Sequence, residues 1–185
     1  MFRRELSGGR LLRLAEDADA AELSALIRAN FEHLAPWMPW ARRDYSLDNA
    51  LEFIRRAAAQ LAGDNGLQVL IIDRGQIIGT AGFHAVSWER RSTSIGYWIA
   101  ADHQGRGIMT ETVCALVDHA FGSWELNRVE IRAAVENARS RAIPERLGFS
   151  EEGTLRQVEL VRGRFLDHVV YSMLASDWGG APRGA

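Results

Sequence analysis

The run Ile99-Ala100-Ala101-Asp102-His103-Gln104-Gly105-Arg106-Gly107-Ile108-Met109-Thr110 carries the clearest chemical signal in the chain. It reads as the end of a strand, a glycine-bearing loop and the start of a helix. A helix N-terminus presents backbone N–H groups without intrahelical partners and the positive end of the dipole, which suits a phosphate or pyrophosphate. Gly105 and Gly107 have no side chain to hold such an anion away from the backbone, and Arg106 can add a charge-assisted contact. A plain turn would use the same two glycines. The dinucleotide fingerprint fits worse. Thr110 stands where its third glycine belongs, and the acidic partner about 20 residues on would fall at the wrong end of the next strand.

Other chemistries are excluded by what the sequence lacks. It has no lysine, so its 22 basic residues are all arginines. That removes a Schiff-base lysine and a Walker-type phosphate lysine. The single cysteine, Cys114, cannot form an intramolecular disulfide, and its apolar surroundings Val113–Val117 predict a buried packing residue. The five histidines, His33, His84, His103, His119 and His168, are scattered without a zinc-ligand spacing, so no metal is expected. A net charge of −2 lacks the basic excess of a nucleic-acid binder. The start, Met1-Phe2-Arg3-Arg4-Glu5, does not read as a signal peptide, and no apolar run approaches the roughly 18 residues of a membrane span. A cytoplasmic protein that binds no membrane and no nucleic acid is expected.

The elements that position the loop follow from periodicity. Leu11–Ala15 reads as a strand, and Asp17 or Asp19 caps a helix to about Leu34. Ala35-Pro36-Trp37-Met38-Pro39-Trp40 interrupts it, and Ser46 caps a second helix to about Ala62. Strands are predicted at Leu67–Asp73, Gln76–Val86 and Ser92–Ala100, then a helix over Ile108–Phe121, a strand at Arg128–Val135 and a helix over Asn137–Leu147. Strands near Thr154–Val161 and Phe165–Leu174 close the order β-α-α-β-β-β-α-β-α-β-β. This is one α/β domain over residues 10–174, with residues 175–185 expected as a flexible tail.

Gln104-x-x-Gly107 resembles the acetyl-CoA pyrophosphate loop, Q/R-x-x-G-x-G/A, of the GNAT superfamily of N-acetyltransferases. The element order also matches, over about Arg10–Leu174. Within that superfamily the chain looks like the ribosomal-protein N-terminal acetyltransferases of the RimJ/RimL type. The supporting stretches are His33–Trp40, Ile95-Gly96-Tyr97-Trp98-Ile99, Gly107–Glu111, Asn137-Ala138-Arg139-Ser140, Leu147-Gly148-Phe149 and Asp167–Tyr171. The resemblance implies a single-domain GNAT fold around a mixed, mostly antiparallel sheet.

It further implies acetyl-CoA as co-substrate, held by Tyr97, Trp98, Ile99, Gln104, Gly105, Arg106, Gly107, Ile108, Met109, Asn137 and Ser140. Met109 departs from the usual final Gly or Ala. A larger departure is Pro144, where many members carry the tyrosine that protonates the CoA thiolate. Proline there also frees the carbonyl of Ser140, and likeness to the RimL-like branch suggests Ser140 as the replacement acid. The glutamate often found before the Ile-Gly-Tyr motif is replaced by Ser94, which leaves Glu111, Glu136, Asp167 and His168 as candidate bases. Trp37, Trp40 and Arg164 should flank the acceptor, a protein or peptide N-terminus such as that of a ribosomal protein, and a homodimer is left open. A small-amine acetyltransferase for an aminoglycoside or polyamine shares the cofactor site but would favour acidic acceptor residues. A non-catalytic CoA-binding module is the third reading, kept by the missing tyrosine and glutamate.

Overall fold

The computed structural model describes residues 2–179. Its elements are β1 (Arg3–Glu5), β2 (Leu11–Leu14), α1 (Ala20–Ala29), α2 (Phe31–Leu34), α3 (Leu47–Ala62), β3 (Gln68–Asp73), β4 (Gln76–Phe83), β5 (Ser92–Ile99), α4 (Ile108–Gly122), β6 (Arg128–Ala134), α5 (Ala138–Arg146), β7 (Ser150–Val161) and β8 (Arg164–Leu174). The predicted order holds, with two differences. β1 was not anticipated: three exposed residues pair with β2 and carry no apolar alternation. The helix expected to reach Leu34 breaks at Asn30. The Asn30 side chain donates to the Leu26 carbonyl at 3.0 Å and accepts from the Ala101 N–H at 2.8 Å, so it ends α1 while tying it to the loop before α4.

The eight strands form one sheet in the order β1-β2-β3-β4-β5-β6-β8-β7. Every pairing is antiparallel except β5–β6, which α4 connects on one face of the sheet. The larger core lies on that face, where Val113, Leu116, Val117 and Ala120 of α4 pack on Val69, Ile71, Ile95 and Ile131. A second core lies on the other face, where Leu23 and Ile27 of α1 and Ile54 of α3 pack on Leu70, Ile72 and Trp98. Cys114 is buried, as expected, and burial pushes its thiol up to about 11. Of the expected tail, Trp178 packs against the larger core and donates to Asp118 at 2.9 Å; residues 180–185 lie outside the described residues.

The entry to α1 is held electrostatically. Asp19 accepts two hydrogen bonds from the Arg13 guanidinium, at 2.6 and 2.7 Å, and one from the Glu16 N–H at 2.8 Å. The Arg13 bonds hold its carboxyl below the usual aspartate range despite burial. A depressed folded-state pKa contributes stability above the unfolded value and loses it as pH falls through the folded one. Asp19→Asn is therefore expected to cost about 1–3 kcal/mol at neutral pH, with the gap from wild type narrowing below about pH 4. Thermal melts at pH 7 and pH 3.5 check this.

Candidate active site

The site begins where two strands part. β5 pairs with β6 only from Ser92–Ile95 to Arg128–Ile131. Beyond Ile95 the strands diverge, so the backbone of Gly96–Ile99 faces a wedge and is open to a ligand on its β6 side. β5 then leads into the glycine loop. Gly107 is the N-cap of α4 at φ +73°, ψ −5°, and no side chain caps the first turn. A Cβ at Gly105 or Gly107 would meet nothing within 4 Å, so the space above this helix start is free. Ile108 and Met109 bury their side chains in the core and offer only backbone N–H groups.

Guanidinium groups surround that space, each held by a neutral oxygen. Arg106 donates to the Asp102 carbonyl at 2.7 Å, Arg139 to Gln104 Oε1 at 2.5 Å and Arg146 to Thr110 Oγ1 at 2.8 Å. Their charge can therefore serve an anion. The Gln104 amide also lies 3.1 Å from His33 Nε2, so this side chain is committed within the protein and its backbone is what remains for a ligand.

The far wall of the wedge is the start of α5. Asn137 caps it, accepting from the Ser140 N–H at 3.2 Å. Pro144 cannot donate to the Ser140 carbonyl, and the Tyr97 hydroxyl fills that gap from β5 at 3.0 Å. Ser140 Oγ in turn donates to the Tyr97 hydroxyl at 3.3 Å. The proline thus creates an acceptor inside the helix, and a tyrosine across the wedge uses it. Burial raises the Tyr97 phenol above its ordinary value, so it stays protonated.

On the opposite face of the sheet the wedge opens into a cleft of about 840 Å³. Trp37, Trp40, Trp98, His84, Arg132, Glu159 and His168 line it, and it reaches Tyr97, Asn137 and Ser140. The tryptophan loop meets the tip of the β7–β8 hairpin. Arg162 donates to the Ala35 and Ala41 carbonyls at 3.2 and 2.6 Å and stacks over the Phe31 ring. Arg164 is not part of the lining; it pairs with Glu136 at 2.8 Å.

The candidate bases separate cleanly. Glu111 accepts from the Ser7 N–H and hydroxyl, at 2.5 and 2.8 Å, and so fastens the N-terminal hairpin. Glu136 is taken by Arg164, and Asp167 accepts the Gln157 N–H at 2.7 Å in the β7 bulge. Of the four, only His168 faces the cleft. His84 and Glu159 also line it and were not anticipated, because only the sheet register brings them there. Among the described residues no cluster of three His, Cys, Asp or Glu could hold a metal ion.

A family model described as an acetyltransferase (GNAT) domain matches residues 10–150. The chain belongs to the GNAT acetyltransferase family. As a GNAT acetyltransferase it is an enzyme that transfers acetyl to an amine. YdaF of Bacillus subtilis, provisionally named a ribosomal N-acetyltransferase, is 40% identical over 173 residues, covering 91% of this chain and 93% of that protein. The [Ribosomal protein uS5]-alanine N-acetyltransferase of Escherichia coli is 28% identical over 91% of this chain and 89% of its own length. RimJ of Mycobacterium smegmatis, solved in complex with CoA-disulfide, superposes with a TM-score of 0.88 at 29% identity, covering 96% of this chain and 87% of that one. These similarities agree with the RimJ/RimL-like resemblance read from the motifs.

Proposed function

We propose that this GNAT enzyme transfers acetyl from acetyl-CoA to the N-terminal α-amino group of a protein, with a ribosomal protein as the favoured acceptor. The observation that carries the reading is that one cleft runs from Trp37 and Trp40 to the wedge at Tyr97, Asn137 and Ser140. In this reading the pyrophosphate lies on the α4 N-terminus at Gly105–Met109, among Arg106, Arg139 and Arg146. The pantetheine runs along Tyr97–Ile99, whose open backbone edge supplies hydrogen bonds to the thioester and its oxyanion. Asn137 and Ser140 flank the sulfur. The acceptor enters from the tryptophan side.

The choice of acceptor rests on charge and on the named relatives. Arg42, Arg56 and Arg132 line the cleft against Glu52 and Glu159, so it offers no acidic excess to draw in a polyamine. A peptide N-terminus carries one positive charge on a backbone that the aromatic walls can grip. Thiol release from acetyl-CoA, measured with ribosomal-protein N-terminal peptides and with small amines, tests this. Faster turnover of the peptides is expected, and turnover confined to small amines would overturn it.

Acetyl-CoA should also stabilise the folded protein. A ligand that binds only the native state adds about 2.7 kcal/mol at a concentration of 100 Kd. For a chain of this size that raises Tm by roughly 5–10 °C. Differential scanning fluorimetry reads the shift, and NAD should give none.

A further inference from the structure

We propose that His84 is the base that takes the proton from the acceptor amine. The inference rests on the acetyl-transfer reading of the wedge and adds to it the group that starts the reaction. His84 follows β4 directly, and its ring approaches β5 with the Nε2–Cε1 edge nearest Gly96. Its Nε2 is 2.7 Å from where a Cβ on Gly96 would stand, so glycine is what lets the imidazole approach the strand. Gly96 adjoins Tyr97, at the mouth of the wedge. Among the described residues the hydrogen bonds of His84 run through its backbone N–H and carbonyl, so the ring's lone pair is free for a ligand in the cleft it lines.

The ring is held by its backbone. The His84 N–H donates to the Ser94 carbonyl at 2.8 Å. Gln60 of α3 donates to the Phe83 and His84 carbonyls at 2.9 and 3.3 Å, and Gln68 of β3 donates to the Phe83 carbonyl at 2.7 Å. Two glutamines thus clamp the end of β4, and Gly66 leaves room for the clamp, since a Cβ there would stand 2.5 Å from Gln60 Nε2.

Sheet order decides between the cleft's titratable groups. His168 is on β8, two strands from β5, and Glu159 is on β7, three strands away. At about 4.8 Å per paired strand the backbones that carry them lie at least roughly 10 and 14 Å from that of β5, and the wedge adds to this, whereas the His84 ring lies against Gly96. Arg132 of β6 faces the same space, as do Glu52 and Arg56 of α3 across the cleft. Crowding by protein and the charge of Arg132 hold His84 below the ordinary imidazole value, which keeps it neutral at pH 7.

The step balances as follows. One N–H bond of the bound ammonium breaks as the Nε2–H bond of His84 forms, and the freed lone pair attacks the thioester carbonyl carbon. The resulting oxyanion collapses and breaks the C–S bond. The nitrogen loses a second proton, sulfur gains one, and the other passes from His84 to water through the open cleft. An α-amine near pKa 7.8 lies above ordinary imidazole near 6.5, and His84 is held lower still, so the first transfer is uphill and the attack that follows draws it forward.

The test compares wild type with His84→Gln and His84→Ala on whichever amine turns over. Loss of a general base should lower kcat/KM by at least about thirtyfold at pH 7. The defect should shrink above pH 8, where the amine deprotonates unaided, and added imidazole should restore part of the His84→Ala rate. Acetyl-CoA should stabilise both variants as it does wild type, which reports that they fold. Wild-type rates in His84→Gln, or an equal loss at every pH without imidazole rescue, would overturn the proposal. If only small amines are acetylated, the N-terminal reading fails while His84 is still tested on that amine. No turnover with any amine overturns both.

Discussion

Gly107→Val is expected to raise the KM for acetyl-CoA by about a hundredfold while the protein still folds. Gly107 sits at φ +73° as the N-cap of α4. A β-branched residue at that dihedral is strained by at least about 1–2 kcal/mol, which a domain of ordinary stability survives. No protein atom lies within 4 Å of the added Cβ, so nothing else in the fold opposes the change. The isopropyl group would instead occupy the free space above the helix start, where the pyrophosphate is proposed to sit. Two decades of affinity correspond to about 2.7 kcal/mol, the size of a few charge-assisted hydrogen bonds lost together. Gly75→Val is the control. Gly75 has nearly the same dihedral, φ +80°, in the β3–β4 turn, with nothing within 4 Å of its Cβ. It should lose similar stability and keep its acetyl-CoA affinity. An unchanged KM in a folded Gly107→Val enzyme would reduce the loop to a turn.

What the sequence made legible was local chemistry. Ser46 was readable as a cap because its partner Asn49 is three residues away, and the structure shows both bonds of the capping box. Gly105 and Gly107 were readable because a strand, a glycine loop and a helix are contiguous. Groups joined across the sheet were not. Glu111 faces the N-terminal hairpin because Ser7, 104 residues earlier, folds back onto α4. Helical periodicity ran through Asn30 unbroken, yet the side chain of Asn30 reaches Ala101 and stops the helix. Pro144 is the instructive case. Its local consequence, a carbonyl at Ser140 without a helical donor, followed from the residue type alone. The donor that answers it, Tyr97, is 43 residues away and emerges only with the register of β5 against α5.

That pairing also sets the size of the effect expected when Ser140 is replaced. Full protonation of the leaving thiolate through this pair would leave a tyrosinate or a serine alkoxide behind. Burial lifts Tyr97 above its ordinary pKa near 10, well above that of a thiol near 8.5, so such a transfer runs uphill. Ser140 is therefore proposed to turn its hydroxyl from Tyr97 to the departing sulfur and donate a hydrogen bond there rather than surrender a proton, with water completing the protonation, while the Tyr97 hydroxyl stays on the Ser140 carbonyl and holds the serine in place. Ser140→Ala should then lower kcat by about ten- to a hundredfold, at the low end of general-acid assistance. Acetyl-CoA affinity should hardly change. The Ser140–Tyr97 bond is long, at 3.3 Å, and Ser140 is half-buried, so its loss should cost little stability. Tyr97→Phe should reduce kcat similarly but cost more stability, because it leaves the Ser140 carbonyl without a donor. If the two hydroxyls act as one unit, the double variant will be scarcely slower than either single one. Between pH 6 and 9 the variant-to-wild-type ratio of kcat should stay flat, since neither hydroxyl ionises there. Multiplicative losses in the double variant would separate the two residues, and full activity in Ser140→Ala would leave the serine as a first-turn residue of α5 whose N–H is capped by Asn137.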